Sequence, residues 1–352
     1  MTSSRDKKTG HSVKATSQLC TVTRYEFLKL LRSRRLLGVI LGSIVLVAVA
    51  YVLPTTYGGP YAGHRETRLF LEPYSHELYP GYSCIAYITT EGLDPSSIVV
   101  HANGSLLSPS DYFLMNDSSG VILFKPNLLL SDVVADYDFS TTPEQFAITL
   151  LEFMQVFIAF VAVFLGSDAI IREFSEHTGF ITFTNPVRRE IIMLGKFVSS
   201  LLVGTLALFV YYVALASLSY VALGAVAEYL PLSLWYAILF YFLCLAFAFL
   251  VSSASRGIAP SVVVTFLILL LILPAVQMAG EEGAKDMWFL PSFAAGVIKY
   301  SLQFEHYPQD VTQGGQPLFY PDLALSAVVL TAYGMIFLLV CGYMFSRREM
   351  TV

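Results

Sequence analysis

Asp168, Arg172 and Glu176 recur at i, i+4 and i+8, with Glu173 beside the arginine. On a helix these three share a face, and Arg172 can pair with either acid. This is the chemistry of docking through directed charge, not of bond breaking. The stretch runs on to Thr178-Gly179, which breaks the helix, and to Asn185-Pro186, which marks a second turn. A segment that merely joins two elements needs only a few residues. This one, 166–196, reads either as a plain loop or as a surface that receives another molecule.

Groupings that could break bonds are not found elsewhere. His76-Glu77 continues Leu-Tyr-Pro and lacks the second histidine of a zinc helix. Glu281-Glu282 has no partner motif, and the histidines offer no ligand set. Gly195-Lys196 is preceded by Glu190 where a phosphate loop needs glycine, and is followed by Phe197. ATP hydrolysis by that route is closed to this chain, so such energy must arrive through a partner. Cys20, Cys84, Cys244 and Cys341 lie far apart, and no disulfide is expected. No catalytic, cofactor or metal residue is nominated, and no nucleic-acid partner is expected.

The elements that must position the charged segment are apolar. Of 352 residues 55% are hydrophobic and 13% charged, against about a quarter charged in soluble domains. The apolar residues gather into runs, as membrane spans do. Six are expected: Leu36–Leu53 (ended by Pro54), Phe146–Leu165, Phe197–Leu223, Leu232–Val251, Ala259–Met278 with Pro274 near its end, and Leu323–Phe345. The polar stretch before the first run argues for an uncleaved anchor over a cleaved signal. Only Glu152 is ionisable within a run, near its outer end. It reads as an interfacial or chain-pairing carboxylate, or as part of a transport path. An ion-coupled carrier would place more charge at mid-membrane.

Basic residues set the orientation. With the N-terminus in the cytoplasm, sixteen lysines and arginines fall inside and five outside. Every short inside connection is basic, as the positive-inside rule requires. Both termini are then cytoplasmic, in a multi-pass protein of the cell membrane.

The residues 54–145 become an external insert. Ser83–Thr90, Ser97–Ala102 and Gly120–Lys125 read as strands, with Asn103-Gly104 as a hairpin turn. The fold class is thus an all-α polytopic membrane protein of six transmembrane helices, with a small β-rich external insert between the first and second. The insert reads as a folded cap, or as a receptor for substrate or partner. Asn103 and Asn116 each open an Asn-x-Ser glycosylation pattern. A second external insert, 279–321, carries Phe293, Val297, Ile298 and Leu302 on an approximate helical face. With Trp288 and Phe289 upstream, it either lies along the outer interface or packs as an ordinary loop helix.

Before the first span, residues 1–20 read as a disordered cytoplasmic tail and 21–35 as a basic amphipathic helix. Phe27, Leu28 and Leu31 fall on one side, with Arg24, Glu26 and Lys29 largely away; Arg32 adds charge near the span. Such a helix lies in the inner interface, each cation gaining about 1 kcal/mol from anionic headgroups.

At these residues the chain resembles the permease subunits of type-2 ABC transporters. Asp168, Glu173, Thr178-Gly179, Pro186, Arg188-Arg189 and Lys196 stand where that family's pattern expects them. The resemblance implies two permease chains, identical or homologous, with two cytosolic ABC ATPase subunits docked below. ATP and Mg would sit on the ATPase, and this chain would hold no cofactor. The 166–196 connection would be a coupling helix, with Asp168, Arg172, Glu173, Glu176, Thr178 and Gly179 as coupling contacts. The family's bias is towards export. The alternatives are an ATP-independent facilitator or a membrane-anchored interaction protein. The substrate cannot be read from the residues.

Overall fold

The computed structural model describes residues 18–57, 62–73, 82–88, 95–114, 121–125, 132–167, 169–171, 189–255, 257–282, 287–306, 311–313 and 316–347. It is mostly helical and divides into two compact units.

The β-rich unit, Tyr51–Phe146 with Ala222–Ala225, holds two antiparallel four-stranded sheets. The strands are β1 Ala62–Leu69, β2 Glu72–Pro73, β3 Cys84–Tyr87, β4 Val99–Ala102, β5 Ser105–Leu106, β6 Tyr112–Leu114, β7 Val121–Phe124 and β8 Val133–Ser140. The sheet orders are β1-β8-β4-β5 and β2-β3-β7-β6. Alternate residues from both sheets (Val100, Val133, Ala135 and Tyr137; Cys84, Ala86, Ile122 and Phe124) form one buried core, so the sheets pack face to face. The Tyr112 hydroxyl ties them by donating to the Ile98 carbonyl at 3.2 Å. Asn103 (φ 52°) and Gly104 (φ 78°) both take the left-handed conformation their tight hairpin needs. Arg68 on β1 grips Asp132 with a forked pair of hydrogen bonds. That guanidinium holds the Asp132 carboxyl below the usual carboxylate range.

The helical unit contains α1 Gln18–Leu31, most of α2 Arg34–Tyr57, part of α3 Pro143–Leu151, α4 Met154–Gly166, α5 Arg189–Leu223 and α6 Leu230–Ala254. Then come α7 Ile258–Leu267 and α8 Leu273–Glu282, joined by a π-helical turn, followed by α9 Pro291–Ala294, α10 Val297–Tyr300, the strand pair β9 Val311–Gln313 and β10 Gln316–Leu318, and α11 Leu323–Arg347. Among the described residues four helices are long and apolar enough to cross a membrane, or up to six if each of two bent pairs is one span. The pairs are α1–α2, bent by 60°, and α3–α4, bent by 42°.

Local chemistry accounts for several boundaries. Thr142 and Gln145 exchange reciprocal hydrogen bonds at the start of α3. The Asp322 carboxylate accepts the Leu325 N–H at 2.7 Å to start α11. Pro274 has no N–H to offer, and the turn before it widens so that the Leu273 N–H reaches the Ile268 carbonyl. The apolar-run reading ends the first span at Pro54, but α2 passes through it to Tyr57. The second span is broken at Glu152–Phe153.

The most deeply buried long helix is α6. Against it α5 packs tightly at Gly204, where an added Cβ would lie 2.1 Å from the Tyr241 ring. The Tyr241 hydroxyl donates to the Ser200 carbonyl at 2.8 Å, which closes that crossing. The 291–302 segment is packed, with Ala295, Val297, Ile298 and Leu302 all fully buried, while Trp288 and Phe289 upstream are exposed. Its apolar residues pack around both short helices, and Lys299 is the charged side chain they leave partly exposed.

Candidate coupling site

The residues singled out for coupling, Asp168, Arg172, Glu173, Glu176, Thr178 and Gly179, lie outside the described residues, as does Asn116. What is described is the platform on which their segment begins and ends.

Its beginning is held by buried serines. At the end of α4, the Ser252 hydroxyl oxygen accepts the N–H groups of Ile170 at 3.2 Å and Ile171 at 3.1 Å. The Ser261 hydroxyl donates to the Ser167 carbonyl. Ser252 and Ser261 are fully buried, and Ile170 and Ile171 are nearly so. Helix-end groups that water would otherwise satisfy are therefore satisfied by side chains of α6 and α7. Hydropathy shows Ser261 only as a small polar gap in an apolar run, and Ser252 only as the residue after one.

Its end is held by an ion pair. Lys196, about two turns into α5, meets Glu26 of α1 at 3.2 Å, with side chains only 11% and 14% exposed. Gly195 permits the approach, since a Cβ there would fall 2.6 Å from a Val22 methyl. The packed side of α1 is Leu19, Val22, Thr23, Glu26, Phe27, Leu30 and Leu31, while Arg24, Leu28 and Arg32 are exposed. This corrects the amphipathic assignment at two positions. Glu26 belongs to the packed face and Leu28 to the open one. Leu19, Val22 and Leu30 flank Glu26, and Lys196 neutralises it there. Charge type alone places Glu26 with the other ionisable residues; only its partner, about 170 residues away in sequence, reveals the exception.

The same end of the helical unit gathers further contacts. Phe197 packs edge-on against Phe249 of α6, and the Cys341 thiol of α11 lies 3.7 Å from the Met193 sulfur of α5. At the opposite end Ser233 of α6 links Tyr212 of α5 to the Ile298 carbonyl. There Tyr211 reaches the Leu150 carbonyl, and Lys299 bonds Glu152. Successive long helices therefore run in alternating directions, and the charged segment leaves from the end that also carries α1.

Asn103 is exposed at its turn tip, where its amide oxygen accepts the Asp132 N–H at 2.9 Å.

The long apolar helices of this unit are those of a multi-pass membrane protein. The chain belongs to the ABC-2 family of transporter proteins, whose family model matches residues 20–350. Among curated proteins none matches the chain. Membership identifies an ABC transporter permease that associates with ABC ATPase components and is not itself the catalyst.

Proposed function

We propose that this chain is the membrane-spanning subunit of an ATP-driven exporter, with six spans, both termini in the cytoplasm and the β-rich unit outside. It pairs with a second permease chain, and separate ATPase subunits carry the ATP and Mg. The carrying observation is that the residues flanking 172–188 are fixed in the helical unit, by the Ser252–Ser261 clamp before it and the Glu26–Lys196 pair after it. A force applied to that segment by a closing ATPase reaches α4, α5 and α1 together. Different contacts in the two nucleotide states then bias the permease between inward and outward forms.

Purification of the tagged chain in mild detergent should retain a nucleotide-binding protein. Glu173→Lys with Glu176→Lys should weaken that retention, or leave ATP hydrolysis uncoupled from transport. Recovery of no nucleotide-binding protein, or full coupling in the doubly reversed variant, overturns the assignment of these residues.

A further inference from the structure

A cavity of about 330 Å³ opens beside the break between α3 and α4, within the range that holds small ligands. Glu152 and Lys299 line it, with the Lys299 ammonium 2.9 Å from both carboxylate oxygens of Glu152. Gln155 and Gln277 add amide groups to the wall, and Met278 and Phe293 supply apolar surface. The two charged side chains remain accessible, at 55% exposed for Glu152 and 20% for Lys299.

We infer that this cavity binds the head group of a lipid carrying both a primary ammonium and a phosphate. The inference goes beyond the transport reading and needs only that the chain sits in a bilayer; it depends on neither ATPase nor direction. Among the described lining residues the two charges, Glu152 and Lys299, are matched. A simple cation drawn to Glu152 would strand Lys299, and a simple anion drawn to Lys299 would strand Glu152. A zwitterion exchanges one ion pair for two and strands neither. Glu152 and the two glutamine carbonyl oxygens are hydrogen-bond acceptors, which suit N–H donors better than a quaternary ammonium. The apolar wall suits the glycerol and first methylenes of a lipid.

The test is native mass spectrometry of the full-length chain in detergent. It is titrated with phosphatidylethanolamine, phosphatidylcholine or phosphatidylglycerol, and with free phosphoethanolamine as competitor. Phosphatidylethanolamine should be retained preferentially, and Glu152→Gln should weaken its retention by about tenfold or more. Gln155→Trp, which fills the cavity while leaving the ion pair in place, should abolish retention. That second variant keeps the test decisive where loss of the pair destabilises the fold. Equal retention of phosphatidylglycerol overturns the proposal, as does retention indifferent to both substitutions. Full competition by free phosphoethanolamine at lipid-like concentration would make the site one for soluble zwitterions and overturn the lipid assignment.

Discussion

Ser252 carries more than its size indicates. One buried hydroxyl oxygen serves two backbone N–H groups, those of Ile170 and Ile171, just before the proposed coupling segment. Ser252→Ala removes that acceptor and leaves both donors buried without it, at a cost of about 1–3 kcal/mol. Ser217→Ala is the control, because that hydroxyl is exposed and only bonds back to the Val213 carbonyl of its own helix. Hydrogen exchange should quicken at residues 169–171 in the first variant and stay unchanged in the second. Unchanged exchange in Ser252→Ala would show that the clamp contributes nothing to holding the segment. Single polar residues are where sequence reading is weakest. Ser252, Ser261 and Lys196 matter through partners distant in the chain, and nothing local in the residues names those partners.

At the scale of elements, apolar runs locate the long helices because span length and backbone satisfaction in lipid leave little freedom. The short strands β3, β4 and β7 are legible because apolar residues concentrate there. β1 is not, because its Ala-Gly-His-Arg-Glu-Thr-Arg-Leu is polar on both faces and it is held by pairing with β8. The break at Glu152–Phe153 is likewise hidden inside an apolar run. The attachment of α1 to α5 is the element-level feature with a measurable energy. Glu26→Gln or Lys196→Met alone removes one member of this largely buried pair, with Lys29 still 3.7 Å from Glu26, and should destabilise the chain by about 1–3 kcal/mol. Glu26→Gln combined with Lys196→Met removes both charges and should recover most of that loss. Melting in detergent across the four combinations gives the coupling energy. Single variants within about 0.5 kcal/mol of the parent would reduce the pair to an ordinary surface contact.

For the whole molecule the decisive quantity is which end faces the cytoplasm. The alternating helices put α1, the start of α5, the ends of α4 and α6 and the end of α11 together. Whichever compartment holds one of these holds all of them. Lysines and arginines concentrate on the connections at that end, sixteen against five under this assignment, and short basic connections are retained in the cytoplasm. The chain offers a clean test. Cys20 is exposed while Cys84, Cys244 and Cys341 are buried, so Cys20→Ser removes the accessible native thiol among the described residues. In that background Ser175→Cys should react with an impermeant maleimide only after the cells are opened. Ser110→Cys, at an exposed position of the β-rich unit, should react in intact cells. Labelling of Ser175→Cys from outside would place the charged segment where no cytosolic ATPase can reach it. The ion pair and the serine clamp would then be structural features of an external surface, and the mechanical reading would fail with the orientation.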